Sequence, residues 1–290
     1  MRTLAPAKVN WTLEVLGRRD DGFHEVQTVM QAVDVCDEVE ATPAEELAIT
    51  IEGPERAIEG DLVAEAARRL ARKVGKVGGA ALRVRKRIPL SAGLGGGSSD
   101  AGATLRLLTR LWRLGMVEEE LAVLAAGLSS DVSFFLFGGT ALAGGRGERV
   151  TPLPDAPQAW LVIVVPPLRI PEKTRRMYAS LRREEFSDGT RTQEVVRWLE
   201  KGGAPTAAMI YNVFERAAYE VLAGLDAYRR ALLEAGAGSV HLAGSGPALF
   251  CVASEEKEAR GIAADLRVPA GADVFVARTL SRSESVWVGS

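Results

Sequence analysis

The most restrictive feature of this 290-residue chain is a glycine-rich run at residues 89–100, which reads P-L-S-A-G-L-G-G-G-S-S-D. Four of the five positions 93–97 are glycine. Because glycine has no Cβ, backbone N–H groups in such a run can approach a ligand that other residues would hold away. The run therefore predicts a loop that closes around phosphate.

The residues after this loop predict a helix that starts at its end. Ser98, Ser99 and Asp100 are residue types common at helix N-termini. Apolar residues then recur at helical spacing, namely Ala101, Leu105, Leu108 and Trp112. A helix N-terminus presents unpaired N–H donors and the positive end of the helix dipole to an anion. The hydroxyls of Ser98 and Ser99 add two donors.

Two familiar nucleotide-binding motifs do not fit the run. A Walker loop ends in Gly-Lys-Ser/Thr, whereas Gly97 is followed by Ser98 with no lysine. The dinucleotide-binding motif needs a third glycine at position 98 and follows an apolar strand, but the segment 83–87 is basic. A flexible linker is disfavoured because the run lies between a proline and an amphipathic helix.

Composition limits the class of protein. With 47% hydrophobic and 26% charged residues, the chain is typical of a globular protein of about two domains. A net charge of −2 gives no basic field, so we expect no nucleic-acid partner. No apolar run reaches the roughly 18 residues of a membrane span, and no signal-peptide pattern opens the chain. We therefore expect a cytoplasmic protein without a membrane partner.

The metal-binding and redox residue types are scarce. Cys36 and Cys251 are isolated, which argues against a disulfide framework and a zinc site. With only two histidines and no H-E-x-x-H motif, a protein-bound transition metal is not expected. Mg²⁺ that arrives with a nucleotide is the expected metal, because it needs few protein ligands.

The segment 5–15 alternates apolar and polar residues and predicts a half-buried strand. Lys8 and Asn10 lie two positions apart on its polar face and should be neighbours. The following turn carries Phe23 and His24, which suit either a plain surface turn or a binding loop.

Asp131 is a single carboxylate directly before an apolar run that Gly138 and Gly139 end. Two interpretations stay open at this point. The residue is either a helix N-cap or a general base beside a desolvated wall.

The remaining segments alternate between helical and strand patterns, which predicts an α+β protein. The proline-rich stretch 152–157 is the best domain boundary, so we expect domains at 1–155 and 156–290. A second tight glycine loop, G-S-G-P at 244–247, lies between two predicted strands. The predicted strands are 31–40, 47–52, 80–88, 160–165, 239–243, 248–253 and 273–279; the other predicted helices are 61–74, 118–128, 172–183, 192–200, 212–223, 225–235 and 255–266.

Together these motifs resemble the GHMP kinase superfamily. The opening A-P-A-K-V-N, the D-G-F-H at 21–24 and the S-D-V-S-F-F at 130–135 resemble, within it, the kinases of a cytidine diphosphate-linked methylerythritol in the non-mevalonate isoprenoid pathway. The matching segments run from 5 to 250, nearly the whole chain. The resemblance implies a two-domain fold with the active site in the cleft between domains. It also implies transfer of the γ-phosphate of ATP to the 2-hydroxyl of that substrate.

The resemblance assigns catalysis to Lys8 and Asp131. Asp131 would accept the hydroxyl proton, and Lys8 would keep that carboxylate ionised and favour developing alkoxide charge. The ATP-binding residues would be Pro89, Leu90, Ser91, Ala92, Gly93, Leu94, Gly95, Gly96, Gly97, Ser98 and Ser99.

The resemblance also assigns a substrate site. Phe23 and His24 would stack on the cytosine, with His24 also hydrogen-bonding the base edge. Tyr178, in the T-x-x-x-Y segment that begins at Thr174, would supply the opposite stacking face. Asn10 would contact the methylerythritol, and Gly244 and Ser245 would close the diphosphate pocket.

This sequence departs from the family pattern in places. Lys173 stands where the family often has serine, Ser129 and Ser133 replace a glycine and a proline, and Ala243 replaces a serine.

Two alternatives remain open. One is another GHMP kinase, acting on mevalonate, homoserine or a sugar; the other is a nucleotide-binding protein without catalysis. Mevalonate, homoserine and sugars lack a nucleobase. The Phe23/His24 turn is therefore the feature that distinguishes a kinase of the cytidine-linked substrate from a kinase of these acceptors.

Overall fold

The computed structural model describes residues 1–53, 62–75 and 78–289. In this part of the chain, two β-sheets and a set of helices are present, each numbered in chain order. The strands of the first sheet are β1 (Arg2–Arg18), β2 (His24–Ala44), β3 (Ala48–Glu52), β4 (Gly79–Arg85), β5 (Thr140–Gly144), β6 (Arg149–Pro152), β8 (Tyr211–Asn212) and β12 (Val288–Gly289). The strands of the second sheet are β7 (Trp160–Val165), β9 (His241–Leu242), β10 (Leu249–Ala253) and β11 (Asp273–Arg278).

The helices are α1 (Leu62–Val74), α2 (Gly96–Leu111), α3 (Glu118–Ala126), α4 (Val132–Phe137), α5 (Lys173–Ala179), α6 (Thr190–Glu200), α7 (Glu215–Val221), α8 (Leu225–Glu234), α9 (Glu256–Asp265) and α10 (Arg282–Ser285). Two short 3₁₀ helices occupy Arg183–Glu185 and Ala207–Met209. The mixture of helices and strands confirms the predicted α+β class.

Two long antiparallel strands, β1 and β2, form the frame of the first sheet. Their pairing runs from Arg2 opposite Glu40 to Arg18 opposite His24, with register shifts that include one between Asn10 and Thr12. The sheet order is β12-β1-β2-β4-β3; β5 pairs with β2 and β6, and β8 pairs with β1. Valine and threonine, which favour strands, are frequent in β2. This strand is twice as long as the predicted 31–40, because residues 24–30 also pair with β1 and residues 41–44 also pair with β4.

Strand β1 is buried on both faces, so the prediction of a half-buried strand was wrong. Val9 and Trp11 pack in a core shared with Leu161, Ile163 and Phe250 of the second sheet. On the polar face, Lys8 and Asn10 are only 4% and 3% exposed. The two glycine loops cover this face, which places polar groups in the interior beside them.

The second sheet has the order β11-β7-β10-β9, and its strand β7 matches the predicted 160–165. Its far face packs against the later helices through a core that includes Val162, Val164, Leu225 and Leu232. Two later strands, β8 and β12, return to pair with β1. The division of the chain at 155/156 remains a prediction.

Helix α2 begins inside the glycine run rather than at the serines. Gly95 is the N-cap with φ +76°, and Ser99 N–H donates to Gly95 O at 2.9 Å. The left-handed conformation suits glycine, so the helix starts two residues before Ser98. The N–H groups of Gly96, Gly97 and Ser98 consequently form the first turn, where N–H groups have no intrahelical partner.

The remaining differences lie at short elements. The predicted helix at 212–223 starts only at Glu215, since the Asn212 side chain accepts from Phe214 N–H and ends the short strand β8. The predicted helix at 172–183 is divided into α5 and a 3₁₀ turn. Helix α10 and strand β12 were not predicted. No helix in the described residues has both the length and the apolar composition needed to cross a membrane.

Candidate active site

A cleft of about 780 Å³ contains most of the candidate site residues. Its lining includes both candidate catalytic residues, the two glycine loops and the start of α5. The predicted residues that line it are Lys8, Asn10, Pro89, Leu90, Ser91, Ala92, Gly93, Gly95, Gly96, Gly97, Ser98, Asp131, Thr174, Tyr178, Gly244 and Ser245. Leu94 and Ser99 are instead buried beneath the loop, and Phe23 and His24 do not line the cleft.

Asp131 directly precedes helix α4, but its carboxylate makes no capping hydrogen bond. An Oδ2 atom of Asp131 lies 3.7 Å from Lys8 Nζ, and the Asp131 side chain is 36% exposed. Asp131 is therefore the N-cap residue of α4 by position but makes no side-chain cap, and its role as a general base stays a prediction. The structure places an accessible carboxylate beside a buried ammonium, so the two side chains form an ion pair in the wall of the cleft.

Asn10 orients the lysine and links it to the second glycine loop. Lys8 Nζ donates to Asn10 Oδ1 at 3.0 Å, which confirms that the two residues are neighbours. Asn10 Oδ1 also accepts from Gly244 N–H at 3.1 Å, and Asn10 Nδ2 donates to Thr28 Oγ1 at 2.8 Å. These bonds satisfy the buried amide and fix the direction of the lysine side chain.

The two glycine loops are in direct backbone contact. A Cβ at Gly93 would lie 2.2 Å from Ala243 O, and a Cβ at Gly244 would lie 2.8 Å from Gly93 O. Both glycines have positive φ, +88° and +52°. Ala248 N–H also donates to Ala92 O at 3.0 Å. Only residues without a side chain permit this approach, so the two loops form one wall of the cleft.

A buried charge cluster beneath the loop was missed by sequence reasoning. Lys86 Nζ lies 2.5 Å from both Asp37 Oδ2 and Asp100 Oδ2, and all three side chains are at most 6% exposed. Asp37 also accepts from the backbone N–H of Ile88 at 2.8 Å. Burial, together with the neighbouring Asp37 charge, raises the pKa of Asp100 to about 7. The cluster joins β2 and the segment before the loop to α2.

Tyr178, which lines the cleft, contacts two other aromatic residues, His24 and Phe214. The rings of His24 and Tyr178 stack with centroids 4.7 Å apart and an interplanar angle of 21°. Tyr178 also packs edge-on against Phe214 at 4.9 Å. Burial lowers the pKa of His24, and burial raises the pKa of Tyr178 to about 12. In this conformation the two rings meet directly, with no space between them for a base.

Phe23 lies near this pair on the turn between β1 and β2. Its side chain is exposed, and the Arg146 guanidinium lies over its ring at 4.8 Å from the centroid. Arg146 itself lines the cleft from the turn between β5 and β6. One face of Phe23 is therefore covered by a cation.

Other charged and metal-ligating residues contribute less to the site. Arg83 and Arg85 pair with glutamates of β2 and β3 and do not line the cleft. Within residues 1–53, 62–75 and 78–289, no three His, Cys, Asp or Glu side chains are grouped to hold a metal ion. Cys36 and Cys251 are free thiols whose pKa burial raises to about 12 and about 11.

Comparison with known proteins gives matches along the chain. Residues 61–139 match the family "GHMP kinases N terminal domain", and residues 192–268 match "GHMP kinases C terminal". The 4-diphosphocytidyl-2-C-methyl-D-erythritol kinase of Dehalococcoides mccartyi (strain ATCC BAA-2266 / KCTC 15142 / 195) is 42% identical over 260 residues, which cover 89% of this chain and 91% of the relative. The enzyme of the same name from Geobacillus sp. (strain WCH70) is 35% identical, with 97% of this chain and 98% of the relative covered.

Comparison with solved structures matches the chain to an enzyme of the same kind. A crystal structure of 4-(cytidine 5'-diphospho)-2C-methyl-D-erythritol kinase superposes with a TM-score of 0.79 at 33% identity, covering 97% of this chain and 100% of that one. The identity of the relatives and the extent of the matches leave one conclusion. This chain belongs to the 4-diphosphocytidyl-2-C-methyl-D-erythritol kinases, within the GHMP kinase superfamily.

Proposed function

We propose that the protein transfers the γ-phosphate of ATP to the 2-hydroxyl of 4-diphosphocytidyl-2-C-methyl-D-erythritol. The products are ADP and the 2-phosphate, an intermediate of the non-mevalonate isoprenoid pathway. The observation that carries the proposal is the pair formed by Asp131 and Lys8, 3.7 Å apart in the wall of the same cleft as the glycine loop. The pair supplies a proton acceptor within reach of a phosphate site.

The donor side of the reaction uses the glycine loop and the start of α2. The N–H groups of Gly96, Gly97 and Ser98 and the positive helix end would hold the β- and γ-phosphates. Transfer requires little covalent chemistry from the protein, so positioning and charge stabilisation supply most of the catalysis.

On the acceptor side, Asp131 accepts the proton of the 2-hydroxyl as its oxygen attacks the γ-phosphorus. The bond between that phosphorus and the β–γ bridging oxygen breaks, and ADP leaves with the electron pair. The Lys8 ammonium, 3.7 Å from Asp131, stabilises negative charge that develops on the attacking oxygen. Asn10 holds Lys8 in place through its 3.0 Å hydrogen bond.

Mg²⁺ belongs to the proposal as the companion of ATP, where it would neutralise charge on the transferred phosphate. The described residues fit this ion, because Mg²⁺ needs only one or two protein ligands beside phosphate oxygens and water. The Ser98 hydroxyl is an oxygen donor that lines the cleft beside the glycine loop. It would hold the ion together with phosphate oxygens and water.

The cytidine diphosphate part of the substrate is assigned to the opposite end of the cleft. Phe23 and His24, which lie outside the lining of the cleft, would stack on one face of the cytosine, with His24 also hydrogen-bonding the base edge. Tyr178 would stack on the opposite face once the His24 and Tyr178 rings separate. Thr174 and Ser245 join across the cleft by a 3.1 Å contact between hydroxyl oxygens, beside Gly244. These polar groups would bind the diphosphate. We place the reaction in the cytoplasm, in keeping with two free thiols.

A coupled ADP-release assay tests the proposal. Mg-ATP is supplied with the cytidyl substrate and, in parallel, with mevalonate, homoserine or galactose. We expect release only with the cytidyl substrate. Release with another acceptor alone would favour a different GHMP kinase, and no release from folded, ATP-binding protein would favour a non-catalytic nucleotide-binding protein.

The variant Asp131→Asn tests the role of the carboxylate. It keeps the side-chain shape but removes the proton acceptor, so we expect kcat to fall by about 10²–10⁴-fold while the Kd for ATP changes little. Asp226→Asn, at an exposed site on α8, is the control. Wild-type kcat in Asp131→Asn would refute the assigned role.

A further inference from the structure

Lys173 is the first residue of α5 and lines the cleft. Its ammonium group donates hydrogen bonds to the carbonyl of Ser91 in the first glycine loop and to the carbonyl of Gly246 in the second. The same helix carries Thr174 and Tyr178, which face the cleft farther along. A single side chain thus connects the start of α5 to both loops.

One of the two partner carbonyls belongs to a residue in a backbone conformation that only glycine adopts without cost. Ser91 is a non-glycine residue with φ +54°, and Gly246 has φ +71°. A left-handed conformation is unfavourable for a residue with a side chain such as Ser91. A hydrogen bond from a charged donor is stronger than one between neutral groups and opposes that cost. The Lys173 ammonium is therefore suited to holding the Ser91 carbonyl in its observed direction.

The position of α5 relative to the loops matters for phosphoryl transfer. The attacking oxygen and the γ-phosphorus must be held about 3–3.5 Å apart, and a displacement of about 1 Å can cost 10²-fold in rate. The loop 89–99 is assigned to the donor, and α5 is assigned to the acceptor. A contact that sets the distance between these two segments also sets the alignment of the reacting groups.

We infer that Lys173 is a positioning residue that tethers α5 to the two glycine loops and fixes the distance between the donor and acceptor sites. The consequence for catalysis rests on the proposed function. The tether itself is a property of the ligand-free protein and is tested separately.

Hydrogen exchange of the ligand-free protein tests the tether. Lys173→Met removes the donor but keeps an unbranched chain, so we expect exchange in peptides over 89–97 and 173–179 to accelerate about 10-fold. Arg176→Met, an exposed position on the same helix, is the matched control and should exchange like the wild type. Unchanged exchange in Lys173→Met would overturn the tether. Acceleration that extends equally to the buried strand β7 would show a general loss of stability and would also overturn it.

Steady-state kinetics test the effect on alignment. The value of kcat is divided by the concentration of sites that bind ADP, so that misfolded protein is not counted. On this basis Lys173→Met should lower kcat about 10–100-fold, whereas the KM for ATP and the KM for the cytidyl substrate should each change less than about 3-fold. Lys173→Arg retains a cationic donor and should recover most of the loss. A raised KM for ATP at unchanged kcat would indicate a direct ligand contact and refute positioning. If the wild type forms no product, the proposed function fails, and the exchange comparison still decides whether the tether exists.

Discussion

Lys8 and Lys86 both lie beside the first glycine loop, but their surroundings differ. Lys8 faces one carboxylate, Asp131, which is partly exposed to the cleft. Lys86 faces two carboxylates, Asp37 and Asp100, which are both buried. Two ionised carboxylates face one ammonium at high pH, so the second cluster carries one excess negative charge. This excess is costly because the cluster is buried. The first arrangement suits chemistry, and the second holds the structure beneath the loop.

The excess charge predicts how stability depends on pH. The pKa of Asp100 in the folded protein is about 7, well above its ordinary value of 3.8. Between these values the folded protein binds a proton that the unfolded chain releases, so stability falls as pH rises through this window. The asparagine in Asp100→Asn is neutral at every pH, like the protonated aspartic acid. The variant should therefore not lose stability as pH rises through this window.

We therefore expect the free energy of unfolding of Asp100→Asn, measured relative to that of the wild type, to be larger at pH 8 than at pH 5. The gain should be about 2–4 kcal/mol, because each pKa unit corresponds to about 1.4 kcal/mol. Urea unfolding at both pH values measures it, with exposed Asp226→Asn as the control. A difference between variant and wild type that does not change with pH would contradict the assignment.

Among the structural elements, the two glycine loops are the pair whose geometry depends most on missing side chains. The first loop begins α2, and the second connects β9 and β10, yet their backbones meet at Gly93 and Gly244. This contact joins the first sheet to the second at the wall of the cleft. The loops therefore have a packing role in addition to any role in ligand binding.

Gly93→Ala tests this packing role. Its Cβ would lie 2.2 Å from the Ala243 carbonyl oxygen, whereas a Cβ at Gly224 meets nothing within 4 Å. The two glycines have nearly equal φ, +88° and +89°, so Gly224→Ala reports the cost of positive φ alone, about 1–2 kcal/mol. We expect Gly93→Ala to lose a further 1–3 kcal/mol, roughly, from overpacking. Equal losses in chemical denaturation would show that the loop contact is not tight.

At the level of the entire chain, the C-terminal segment completes the first sheet. Strand β12 pairs with β1 through Thr3 and Val288, and Ser285 Oγ accepts from the buried Gly139 N–H at 3.0 Å. Helix α10 also contributes Glu284, which pairs with Arg278 at 2.9 Å. The last residues thus support the sheet that carries Lys8.

Truncation after Leu280 should weaken the fold without altering the cleft. Removal of residues 281–290 deletes the β12 pairing and uncovers Gly139, whose N–H loses the Ser285 hydroxyl but gains access to water. We expect urea unfolding to show a loss of stability, with an unchanged Kd for ADP at temperatures where the protein is folded. In the full chain, Ser285→Ala leaves the Gly139 N–H buried without this acceptor and should cost about 1–3 kcal/mol. Unchanged stability after truncation would show that β12 is dispensable.

The sequence predicted those features that depend on neighbouring residues. The glycine loop, the Lys8/Asn10 pair and the position of Asp131 before an apolar run all follow from local pattern. The Lys86 cluster does not, because its three residues come from separate segments and no periodicity links them. The burial of the polar face of β1 was missed for the same reason, since the loop at 244–247 that covers it is distant in the chain.

The contact between His24 and Tyr178 has a consequence for the kinetics of ligand entry. A base that is to lie between two rings needs about 7 Å, twice the usual stacking distance of about 3.5 Å, whereas these centroids are 4.7 Å apart. The proposed binding mode, with cytosine between His24 and Tyr178, requires these rings to separate. If separation precedes binding, that step is independent of ligand concentration, and we expect the observed association rate of a cytidine ligand to level off at high concentration.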